Sequence, residues 1–175
     1  MFSYPPERLE RVATRVLCLG NPLLADDAFG AAVAAALPGC VPPEVEVVRS
    51  EVTGFGLLDD LLNTGRLIVV DTVQTETAEP GTVYCVREGD LRTAPGPSPH
   101  YVGLFEMLAL ARTLRLPAPQ EVVILAVEAA DCITVGGAMH PAVRAAVPLI
   151  VGQVASIVGE ELGSVPPTPS WRSAA

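Results

Sequence analysis

The chain carries 20 acidic residues but only two histidines, and a few of these sit where an α/β protein gathers its chemistry. Asp26 and Asp27 are adjacent in the glycine-bounded segment G-N-P-L-L-A-D-D-A-F-G at 20–30. Asp71 ends the run R-L-I-V-V-D at 66–71, and His100 ends S-P-H at 98–100. Asp27, Asp71 and His100 together offer two carboxylates and one imidazole from three loops. That donor set suits a divalent metal of the nickel, zinc or iron kind with coordination positions left open. It contains no thiolate, so a closed structural zinc site is not indicated. Each residue also has a plain reading: Asp27 as a helix-start charge, Asp71 as a cap on the next turn, His100 as a solvated loop side chain. Asp26 reads as the N-cap of the helix that follows, and His140, beside Pro141, as a surface or capping residue. A further reading sets Asp27 against Asp71 as an acid pair of the aspartic-protease type, which leaves His100 without a role.

Other chemistries lack their residues. There is no G-x-S-x-G elbow for a serine hydrolase, and Gly20 is followed by Asn21-Pro22 rather than by a dinucleotide-binding G-x-G-x-x-G. The turn has no lysine, so it does not read as a phosphate-cradling loop. Cys18, Cys40, Cys85 and Cys132 form no C-x-x-C pair. Cys18 and Cys85 fall in apolar, strand-like runs where buried free cysteine is common, and reduced thiols point to a cytoplasmic protein.

The elements that must position these residues follow from hydrophobic patterning. Residues 12–19, 44–49, 66–71, 82–86 and 121–127 read as strands. Residues 27–37, 55–62, 104–116 and a segment starting near His140-Pro141 and running to 162 read as helices, the last kinked or broken at Pro148. Phe55, Leu58, Leu61 and Leu62 are expected on one apolar helix face, and Leu104, Leu108, Ala111 and Leu114–Leu116 on another. The alternation at 44–49 suits a strand near an edge. The stretch 72–81 lacks a helical pattern, so the strand after it is expected antiparallel on the sheet edge. The fold class is therefore α/β: one three-layer α/β/α domain with a twisted, mostly parallel five-stranded sheet. It is expected over residues 14–162, with 1–13 and 163–175 as flexible termini. In such a sheet ligands collect beyond the carboxyl ends of the strands, where Asp71 and the loop bearing Asp27 are placed to converge. As a loop residue, Asp27 is expected to be exposed.

Composition narrows the partners. Half the residues are apolar yet only 5% are aromatic, so the core is built from Val, Leu and Ala. A net charge of −9 argues against nucleic acid and against an anionic membrane surface. Residues 1–11 lack the apolar core of a signal peptide. The apolar segment 142–158 is expected to be too short and too interrupted to span a bilayer.

The three motifs, in this order and spacing, resemble the [NiFe]-hydrogenase maturation endopeptidases, and the likeness runs from about residue 16 to 162. The resemblance implies a twisted sheet flanked by helices on both faces. It also implies removal of a C-terminal extension from the precursor of a [NiFe]-hydrogenase large subunit after nickel insertion. It assigns metal contact to Asp27, Asp71 and His100, with general-base work open to either aspartate. The nickel belongs to the substrate, and zinc or cadmium could occupy the same positions. Cys18 stands where the family often has glycine, and Glu51-Val52-Thr53-Gly54 replaces a glycine-rich loop. That altered loop motivates an alternative, a non-catalytic metal- or precursor-binding module on the same fold. A third reading, a small hydrolase akin to the peptidyl-tRNA hydrolases with their G-N-P turn, sits poorly with the acidic balance.

Overall fold

The computed structural model describes residues 12–87 and 101–160, with 101–103 described by backbone alone. The elements in order are β1 (Val12–Leu19), α1 (Phe29–Ala36), β2 (Glu46–Ser50), α2 (Leu57–Leu61), β3 (Thr64–Val73), β4 (Val83–Arg87), α3 (Tyr101–Thr113), β5 (Glu121–Glu128) and α4 (Pro141–Gly159). They build one sheet in the order β2-β1-β3-β5-β4. β1, β2, β3 and β5 are parallel, and β4 pairs antiparallel with β5 at the edge, as the missing crossover helix predicts.

Strand side chains alternate between two cores. Val16, Cys18, Ile68, Val70, Val123 and Leu125 pack with α1 and α4. Leu17, Leu19, Leu67, Val69, Val122 and Ile124 pack with α2 and α3. Burial on both faces is why residues 16–19 of β1, 67–70 of β3 and 122–127 of β5 read as unbroken apolar runs. The single α/β domain is thus three-layered, with its five-stranded sheet in the middle.

Several local expectations are corrected. Asp26–Ala28 forms a 3-10 turn before α1 rather than the first turn of one long helix. Phe55 is 76% exposed, because a second 3-10 turn, Gly54–Gly56, carries it off the apolar face of α2. Leu114 is 57% exposed, since α3 ends at Thr113. Cys85 is exposed: it shares the sheet face of Val83 and Leu125, but its edge strand has only one neighbour and the side chain lies at the margin of that core. Pro148 leaves α4 one continuous element, because it lies on the exposed face, beside an equally exposed Arg144 whose carbonyl it cannot bond. At 19 residues, α4 is also long and apolar enough, by length and composition, to cross a membrane, contrary to expectation. Here its stripe of Val143, Ala146, Ile150, Val154 and Ile157 is buried against the sheet.

Two glycines set the approach of β1 to the segment behind it. Gly20 has φ +129°, and a Cβ there would lie 2.1 Å from the Asp27 carbonyl oxygen. A Cβ on Gly30 would lie 1.9 Å from the Leu19 carbonyl oxygen. No side chain fits either gap, so the segment folds back on itself with Asp27 against Gly20 and Gly30 against Leu19, the last residue of β1.

Candidate active site

From β1 the chain adds β2 on one side and, after a crossover, β3 on the other. The crevice between β1 and β3 is therefore the switch point of the sheet, where open α/β folds collect ligands. Asp27 stands there on the turn after β1, and Asp71 in the last turn of the β3 ladder.

Asp27 is only 6% exposed despite its loop position. The Asn21 N–H donates to its Oδ2 at 2.7 Å, and the Thr72 hydroxyl donates to its Oδ1 at 3.2 Å. The Asn21 Oδ1 in turn accepts the Leu23 N–H at 2.9 Å, which closes the turn as an Asx motif. Asp71 is fully buried, and its Oδ1 accepts the Thr72 N–H at 2.7 Å. Asp71 continues the alternation of Leu67, Val69 and Val73 toward α2 and α3, whereas Thr72 faces α1. The two carboxylates thus reach the end of β3 from opposite sides of the sheet and meet at Thr72. The Cys132 thiol donates to the Thr72 hydroxyl oxygen at 3.6 Å. Burial pushes the Cys132 thiol up to about 12, and the negative charges of Asp27, Asp26 and Asp71 push the same way.

Two further acids build the walls. Asp26 is 1% exposed and accepts three backbone N–H groups: Ala130 and Asp131 on Oδ2 at 2.8 and 2.9 Å, and His140 on Oδ1 at 2.6 Å. Its own N–H donates to the Asp131 carbonyl at 2.8 Å. It makes no capping bond to its own helix, so the expected N-cap is instead the tie that holds the 129–140 loop beside the crevice. Glu128, at the end of β5, accepts the Thr75 and Glu76 N–H groups and the Thr75 and Tyr84 hydroxyls. It fixes the turn after β3, including Glu76 with its positive φ of 57°. Burial and the Glu128 carboxylate both raise the Tyr84 phenol above its ordinary range.

Comparison with known proteins bears on this arrangement. The family model described as hydrogenase maturation protease matches residues 34–157. This chain belongs to the hydrogenase maturation protease family. The hydrogenase 2 maturation protease of Escherichia coli K12 is 33% identical over 101 residues, covering 55% of this chain and 62% of that protein, so the match spans under two thirds of the curated relative. The hydrogenase maturating endopeptidase HybD of E. coli superposes with a TM-score of 0.73 at 28% identity, over 85% of this chain and 93% of that one. A [NiFe] hydrogenase maturation protease from Thermococcus kodakarensis, 21% identical, shares the fold with a TM-score of 0.68, over 83% and 99%. The matched family segment contains Asp71 and His100; Asp27 precedes it.

Within this family fold, Thr72 bonds Asp71 through its backbone N–H and Asp27 through its hydroxyl. His100 lies outside the described residues, as do the expected loop at 88–99 and most of the expected terminal tails. The chain re-enters at Tyr101, the first residue of α3, whose other end leads to the start of β5. α3 therefore begins at the carboxyl edge of the sheet, on the side that Asp71 faces. His140 is the N-cap of α4, its Nδ1 accepting the Ala142 N–H at 3.3 Å, in line with its expected capping role. Sequence reasoning missed Thr72, Cys132 and the gripping role of Glu128. Thr72 follows Asp71 directly, the one signal that could have marked it; Cys132 carries none. Among the described residues no three His, Cys, Asp or Glu side chains form a ready-made metal cluster.

Proposed function

We propose that this protein is the endopeptidase that removes the C-terminal extension of a [NiFe]-hydrogenase large-subunit precursor once nickel has been inserted. The observation that carries the reading is the joining of Asp27 and Asp71 at Thr72, in the crevice where this fold collects ligands. Two oriented carboxylates and the imidazole of His100 are hard and borderline donors that suit nickel already held by substrate thiolates. Contact energy of that kind is available only from a loaded precursor, which makes metal insertion the condition for binding in the cleavable geometry. In this scheme Asp27 and Asp71 contact the substrate's metal, and one of them takes the proton of the attacking water. Four free cysteines suit the cytoplasm as the place of reaction.

The test is co-expression of this protein with the precursor, with and without nickel, followed by gel mobility of the large subunit. A C-terminal shift that needs nickel is the expected result. An equal shift without nickel overturns the metal-reading step. Association without any shift assigns the chain to the non-catalytic binding module instead.

A further inference from the structure

Thr72 touches both candidate carboxylates. Its backbone N–H serves Asp71 on one side of the sheet at 2.7 Å, and its hydroxyl serves Asp27 on the other at 3.2 Å. The side chain is 3% exposed, so no bulk water competes for that hydroxyl. A hydroxyl has one hydrogen to give, and its direction decides what it holds. Here the Cys132 thiol donates to the Thr72 oxygen, so the hydroxyl hydrogen is left to point at Asp27 Oδ1. The Asn21 N–H on Oδ2 is the second restraint. With a donor on each oxygen, the plane of the Asp27 carboxylate is restrained by two segments, the turn after β1 and the end of β3. The 129–140 loop that carries Cys132 is itself held by the three backbone bonds to Asp26.

We infer that Thr72 is a positioning residue, which sets the Asp27 carboxylate against Asp71 so that the pair can grip a divalent metal presented by the substrate. The inference rests on the proposed metal-reading function. Cys132 acts one step further out, by keeping the Thr72 hydrogen turned toward Asp27. Thr113 and Thr82 give their hydroxyls to the Ala109 and Glu79 carbonyls, and Thr75 gives its own to the Glu128 carboxylate that holds its turn, whereas the Thr72 hydroxyl goes to a carboxylate proposed to meet the metal. Thr72 gives its hydroxyl hydrogen to a carboxylate, and charge-assisted bonds of this kind are the stronger class.

The experiment compares wild type, Thr72→Val, Thr72→Ser and Cys132→Ala for binding of nickel-loaded and nickel-free precursor, and for cleavage. Thr72→Val keeps the volume and the backbone N–H to Asp71 and removes only the hydroxyl. It is expected to lose about thirtyfold in kcat/KM and in affinity for the loaded precursor, the worth of one hydrogen bond to a carboxylate. Affinity for the nickel-free precursor is expected to stay unchanged, and thermal unfolding verifies that the fold is retained. Thr72→Ser restores the hydroxyl and returns to within about threefold of wild type, and Cys132→Ala falls between the two. Equal behaviour of Thr72→Val and wild type overturns the inference, as does equal loss with loaded and nickel-free precursor, which marks a general packing role. If wild type prefers the loaded precursor but does not cleave it, the proteolytic reading fails, and the loaded-to-free affinity ratio of Thr72→Val still decides the role of Thr72. If wild type binds both forms equally, the metal-reading function and this role for Thr72 fall together.

Discussion

The two ends of the central sheet treat their acidic side chains differently. At the amino end, carboxylates meet guanidinium groups: Arg15 pairs with Glu46 across β1 and β2, Arg66 with Glu121 at 2.7 Å across β3 and β5, and Arg87 with Glu121 at 3.1 Å. Arg15 also donates to the Asp60 and Leu62 carbonyls at 2.7 and 2.9 Å, closing the end of α2. At the carboxyl end, Asp26, Asp27, Asp71 and Glu128 are buried, and the bonds described above come from backbone N–H groups and hydroxyls. The sequence places no Lys or Arg in 20–28, 51–56, 72–82 or 128–140. Ion pairs at the amino end consume charge locally and register the strands. Dipolar donors at the carboxyl end orient carboxylates while leaving these described loops net negative, which is the electrostatic setting that receives a cation from outside.

That contrast can be broken by substitution at either end. The largest effect is expected for Asp27→Asn: cleavage of the loaded precursor falls about 1,000-fold, read by gel mobility over a time course. Because Asp27 is buried rather than exposed as a loop residue would suggest, the amide also costs about 1 kcal/mol, through a poorer match to the Asn21 N–H. Asp26→Ala comes next. It strands three backbone donors and is expected to destabilise the fold by about 3 kcal/mol in a denaturant titration. Hydrogen exchange should speed up first at the Ala130, Asp131 and His140 amides.

An alkaline titration sharpens the same contrast through the thiols. The Cys18 thiol, raised to about 12 by burial, and the Cys132 thiol, raised to about 12 by burial and the neighbouring carboxylates, hold their protons more tightly in the folded chain. A folded pKa above the unfolded one gives stability that is complete below about pH 9. It is lost as pH rises from there toward 12. Iodoacetamide at pH 8 should accordingly label Cys40 and Cys85, which are exposed, well before Cys132. Labelling of Cys132 at the rate of Cys40 would contradict the carboxylate-rich surroundings assigned to it. The smallest effect is expected at the amino end: Glu46→Gln should leave cleavage unchanged and cost at most about 1 kcal/mol, since the Glu46 side chain is 41% exposed and water screens the pair.

Much of the scaffold was legible because burial on both faces writes itself into sequence as apolar runs. β1 was read with its observed ends, β2 near an edge, and β4 antiparallel from the missing helix before it. What escaped were features set by contacts distant in the chain. Asp26 and Asp27 are neighbours of one residue type, yet one ties down backbone more than a hundred positions away and the other faces the crevice. Nothing local separates them. Phe55 and Cys85 misled for the opposite reason: their types are those of core residues, and only the 3-10 turn and the edge position leave them exposed. Thr72 and Cys132 were invisible because a single hydroxyl and a single thiol have no pattern until Asp27 is placed beside them.

The central claim, that the carboxyl-end carboxylates meet the metal of the substrate, is tested most directly by nickel K-edge X-ray absorption. The nickel-loaded precursor is mixed with this protein and freeze-quenched, then compared with the precursor alone and with the Asp27→Asn mixture. The prediction is that oxygen and nitrogen neighbours join the sulfur shell with wild type and that the oxygen contribution drops with Asp27→Asn. A nickel shell that stays the same in all three samples would contradict it.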